Sequence, residues 1–126
     1  MDTNELMKQL PDFDDMDKLG AANARAKAEL EAVNNLLEMK IAKCIQEAMT
    51  NPEYWIDGKR PSMSYATNVI AVTGNNEDDF QELVELRSKI VALTEEYQYT
   101  KQLLSNMESR IAVWQTHSAN RRKASV

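Results

Sequence analysis

The stretch LVELRSKIVALTEEYQYTKQLLSNMESRIAVWQTHS, Leu83 to Ser118, decides the fold. Leu83, Leu86, Ile90, Leu93, Tyr97, Thr100, Leu104, Met107, Ile111, Trp114 and Ser118 are separated by alternating steps of three and four. That is the heptad rhythm of a coiled-coil seam. No Gly or Pro interrupts it, and the spacing predicts a helix over 76–119. Asn75 or Asn76 is placed to cap its start, and Glu77, Asp78 and Asp79 lie in the first turn, where the helix dipole favours acids. Arg121, Arg122 and Lys123 lie at the other end, where it favours cations.

Upstream, a second stripe runs Leu19, Ala22, Ala26, Leu30, Val33, Leu37, Ile41, Cys44 and Ala48. Its steps repeat every eleven residues, close to three unstrained helical turns. It predicts a helix over 17–49, roughly 50 Å long at ~1.5 Å per residue. Gly20 weakens its first turn. Two long helices joined by one connector predict an all-α antiparallel hairpin. Val84, Val91 and Leu103 fall off the seam. Their outward placement predicts that hairpins self-associate into an oligomeric bundle or ring.

The connector, residues 50–75, exceeds the roughly 2–8 residues of most helix–helix connections. It holds Pro52, Pro61, the tight-turn pair Asp57-Gly58, and the strand formers Val69, Ile70 and Val72. A small β-hairpin or ordered flap is the expectation. Trp55 and Tyr54 beside Lys59 and Arg60 form a candidate nucleic-acid surface, because aromatic faces stack on bases and cations meet phosphates. The competing expectation is that Tyr54, Trp55 and Ile56 cap the open end of the helix pair as a small core.

The remaining organisation is an acidic arm, 1–16, a hairpin domain, 17–119, and a basic tail, 120–126. Thr3 is placed to cap a short helix in the arm and Pro11 to stop it. Net charge is -5, but it alternates along the chain: residues 1–17 carry -5, 76–96 carry -5, and 97–126 carry +4. The chain has three widely separated Gly, one His and one Cys. That excludes a phosphate-cradling Gly-rich loop and the usual zinc ligand set within one chain. His117 reads as a surface residue and Cys44 as a core residue. No acid pair has a positioned base or nucleophile beside it, so a non-enzyme without a cofactor is expected. No apolar run approaches a membrane span and no secretory leader is visible, which predicts a cytoplasmic protein.

The segment EEYQYTKQLLSNMESRIAVWQTHSANRR, Glu95 to Arg122, with AKAELEAVNNLLEMKIAKCIQEA upstream, resembles UvsY-like phage recombination mediators. The resemblance implies an oligomer that binds single-stranded DNA and helps load a recombinase onto DNA covered by single-strand-binding protein. It places phosphate contacts on Lys101, Arg110, Arg121, Arg122 and Lys123, with Trp114 packing first and stacking second. The acidic net charge departs from the basic character of a mediator. One reconciliation sets Asp12 to Asp17 against Arg121 to Lys123 until nucleic acid displaces them. Two other classes fit the same sequence: a protein-binding adaptor or inhibitor using the acidic tracts 12–17 and 77–85, and a structural or chaperone-like coiled-coil subunit.

Overall fold

The computed structural model describes residues 5, 8, 10 and 12–124. The expected Thr3 cap and Pro11 stop lie outside the described residues. Helix α1 spans Phe13–Thr50, a 3-10 turn spans Pro52–Tyr54, and helix α2 spans Met63–Tyr65. A π-helical turn, Ala66–Ile70, continues into α3, Ala71–Thr73, and the long helix α4 spans Glu77–Ala124. The described residues contain no β-strand, and the all-α class stands.

Helix α1 begins earlier than its apolar stripe because Asp12 caps it. The Asp12 carboxylate accepts from the Asp14 N–H at 2.9 Å, and the Asp12 carbonyl accepts from Met16 N–H at 3.0 Å. Every position of both predicted stripes, from Leu19 to Ala48 and from Leu83 to Ser118, is buried or half-buried. Val84 and Val91 are exposed and Leu103 is half-buried.

The expected β-hairpin in the connector is not formed. What remains of it is a single antiparallel bridge, Ile56 to Lys59, around Asp57 (φ 53°) and Gly58 (φ 75°). Val69, Ile70 and Val72 are helical instead. Ser62 caps that helical run by accepting from Tyr65 N–H at 3.1 Å. Ala66 and Ile70, four apart, then bury against Cys44 and Ala48, with Ile45 and Met49 alongside. This core outweighs the strand preference of β-branched side chains. Of the three residues expected to cap the open end, Ile56 is exposed and Tyr54 and Trp55 are half-buried, with Tyr54 and Ile56 lying beside Ile70 and Gly74.

The chain comprises two compact units, Met1–Lys27 with Glu95–Val126, and Ala28–Thr94. In the first, Ala26 and Thr100 are buried, and Asn23 Nδ2 donates to the Tyr97 carbonyl at 3.0 Å and to Thr100 Oγ1 at 2.8 Å. In the second, Asn75 Nδ2 donates to the Cys44 carbonyl at 2.8 Å, and Lys40 Nζ reaches Asp79 at 2.9 Å and Glu82 at 2.8 Å. Moving back along α1 therefore moves forward along α4 in this unit.

Candidate nucleic-acid interface

Beyond Tyr97, the described part of α4 carries five cations, Lys101, Arg110, Arg121, Arg122 and Lys123, and all five are exposed. One acid, Glu108, accompanies them. They do not form one line. At ~100° per residue, a nine-residue step puts Lys101 and Arg110 on opposite flanks of the seam. The two therefore do not share one face of α4. Arg110 and Arg121 are eleven residues apart, three turns, and share a face with His117 between them. Arg121, Arg122 and Lys123 are consecutive, so they fan around the helix and present charge on several sides. Arg122 Nε also donates to the Ser118 carbonyl at 3.4 Å. Lys101 Nζ stands 5.8 Å from the Tyr97 ring centroid, within cation–π range.

Trp114 takes its seam position. It is half-buried, and its indole Nε1 is buried without a hydrogen-bond partner. Packing is its evident role. Ala112, Val113, Thr116, His117 and Asn120 line an open depression of about 420 Å³ on the terminal turns.

The connector cations belong to the other compact unit. The left-handed pair Asp57-Gly58 makes a two-residue turn that presents Lys59 and Arg60 to solvent. Arg60 stacks over Trp55 at 5.5 Å, and Trp55 Nε1 is buried without a partner. The Trp55 ring therefore already holds a cation on one face.

Sequence reasoning missed the cluster at the start of α4. Asn76 caps the helix, its Oδ1 accepting from Asp79 N–H at 2.8 Å. The Asp79 carboxylate turns back to accept from Asn75 N–H at 3.1 Å and from Lys40. Burial pushes Asp79 towards its neutral form, but the Lys40 and Asn75 hydrogen bonds outweigh it and hold the carboxyl below its ordinary range. Hydrogen bonds to Glu82 and then Asp79 raise Lys40 above its usual value. Burial pushes the Cys44 thiol up to about 11, which suits a core residue rather than a nucleophile. The run Asn75-Asn76-Glu77-Asp78-Asp79 signalled a helix start, but nothing in it pointed to Lys40. This cluster latches α4 to α1.

Among the described residues no set of three or more His, Cys, Asp or Glu is grouped to hold a metal, and no helix is long and apolar enough to cross a membrane. Comparison with family models, curated proteins and solved structures finds no match.

Proposed function

We infer that this protein is an accessory factor that binds single-stranded DNA as a homo-oligomer and assists recombinase loading, with its two long helices paired as an antiparallel hairpin. The observation that carries this reading is the run of five exposed cations on α4 after Tyr97 in an otherwise acidic chain. Cations fanned around a helix end suit a flexible strand, which can wrap to meet them, better than a rigid duplex groove. Lys59 and Arg60 beside Trp55 supply a second cationic and aromatic surface. The depression beside His117 has room for a base next to the Arg110–Arg121 face.

The test is fluorescence anisotropy of a labelled oligonucleotide against the full chain and against Arg121→Ala/Arg122→Ala/Lys123→Ala. The reading expects single-stranded DNA to bind more tightly than duplex and the triple variant to lose most of that binding. Equal titrations of the two proteins would reject it. A second reading, an adaptor for a basic protein partner, is favoured by the exposed acids Glu77, Asp78 and Glu85 on α4. It would leave DNA unbound.

A further inference from the structure

A groove of about 460 Å³ runs between α1 and α4 inside the Ala28–Thr94 unit, floored by Val33 and Leu93, walled by Ala32 and Ala92, and edged by Glu29 and Lys89. On the same side of α1, Leu36 is 53% exposed and Met39 68%. The connector's helical run covers the opposite side: Ala66 and Ile70 pack near Ile45 and Met49, and Arg87 donates to the Ala71 and Val72 carbonyls. The groove side of α1 carries a row of small and apolar residues, Ala32, Leu36 and Met39, all exposed.

We propose that a second copy of this chain docks on this face, antiparallel, about a two-fold axis at Leu36. The proposal deepens the oligomer part of the functional reading and rests on it. The argument is charge register. A two-fold axis makes residues equidistant from it meet. Glu29 lies seven residues before Leu36 and Lys43 seven after, so each Glu29 meets the other copy's Lys43. Lys40 faces Asp79 and Glu82, and Leu36 lies one turn earlier, level with the 83–86 turn of α4. An axis between Glu85 and Leu86 puts Lys89 opposite the other copy's Glu82. Four opposite-charge pairs then frame a strip in which Leu36 meets Leu36 and Met39 enters beside Ala32. An axis running along the helices would lay Leu36 over Glu85 instead.

The strip from Glu29 to Lys43 is about 22 Å long. Two such faces bury roughly 1,000 Å², the lower bound of a specific interface, so the dimer should be in measurable exchange with monomer over a concentration series. Glu85 is the one unfavourable element, because it lies beside the axis and faces its own copy. Its neutral variant Glu85→Gln should tighten the dimer.

Sedimentation velocity over a concentration series tests the proposal. Leu36→Glu puts like charges on the axis and should weaken association by about 100-fold. Its urea midpoint should stay that of wild type in dilute protein, since Leu36 is exposed. Glu29→Lys should weaken association, and Glu29→Lys/Lys43→Glu should restore it, a recovery that no loss of folding imitates. Under mild oxidation Leu36→Cys should cross-link to itself, while Val91→Cys, exposed on the opposite flank, should not. A wild type monomeric at all concentrations, an unchanged Leu36→Glu, a charge swap without recovery, or equal cross-linking at 36 and 91 would overturn it. DNA binding is read separately by anisotropy, so failure of this interface and failure of the DNA reading are distinguishable.

Discussion

Asp79→Ala removes the carboxylate that fastens α4 to α1. The side chains of Asp79 and Lys40 are 9% and 14% exposed, so their contact is largely withdrawn from water. The substitution removes acceptors for Lys40 Nζ and for Asn75 N–H, and leaves Lys40 with Glu82 alone, whose side chain is 55% exposed. Breaking a buried pair from one side costs about 3–5 kcal/mol. Because Glu82 keeps part of the compensation, the lower end, about 3 kcal/mol, is expected. With a urea m-value near ~1.5 kcal/mol/M, the midpoint falls by about 2 M. The assay is far-UV circular dichroism in urea at pH 7 and one fixed protein concentration, so that association contributes equally to both proteins. Lys40→Met/Asp79→Leu removes both charges and keeps apolar volume, and should recover part of the loss, with Asn75 N–H still lacking its acceptor. A loss below about 1 kcal/mol for Asp79→Ala would equal that of a surface pair and refute the latch.

The same cluster sets a pH window. Asp79 titrates lower in the folded chain than in the unfolded one, so its stabilisation is present above the unfolded value and lost as pH falls through the folded one. Lys40 titrates higher when folded, so its share is present below its unfolded value and lost only as pH rises through the raised one. Urea midpoints should therefore be flat near neutrality and fall in acid, and Asp79→Ala should flatten part of the acid fall. Gly74→Ala should destabilise more than Gly58→Ala, by about 1–2 kcal/mol or more. Both glycines have positive φ, but a Cβ at Gly74 would run into the Asp79 side chain, while one at Gly58 meets open space; paired urea titrations check the order. Cys44 should react with a disulfide reagent at pH 8 far more slowly in the native protein than in urea, since its thiol is buried and titrates near 11. Equal rates would show that the core around Ala48 and Ile70 opens readily.

Apolar spacing carried the two long elements. It placed Ala26, Cys44 and Ala48 on one stripe and Leu83 and Thr100 on the other, and these five are buried. It failed in the connector because Val69, Ile70 and Val72 favour strands only when tertiary contacts do not decide otherwise. Here Ala66 and Ile70 find Cys44 and Ala48, and Ser62 supplies a cap. Pro61-Ser62 before the run and Gly74 after it were the available helix signals. The candidate site was legible in part. Charge counting singled out the cations after Tyr97, but helical phase had to separate Lys101 from Arg110. Asn23 and Lys40 looked like ordinary polar residues, because their partners Tyr97, Thr100 and Asp79 lie far along the chain and sequence spacing does not reveal such pairs.

The salt dependence of single-stranded DNA binding tests the account most directly. Affinity for a labelled oligonucleotide is measured by anisotropy from low to moderate salt, for wild type and for Arg121→Ala/Arg122→Ala/Lys123→Ala. Each phosphate contact on a single strand contributes about 0.7 to the slope of log affinity against log salt. The account predicts binding that weakens with salt, and a triple variant whose slope is shallower by about 2. No binding at low salt, or identical slopes for the two proteins, would contradict it.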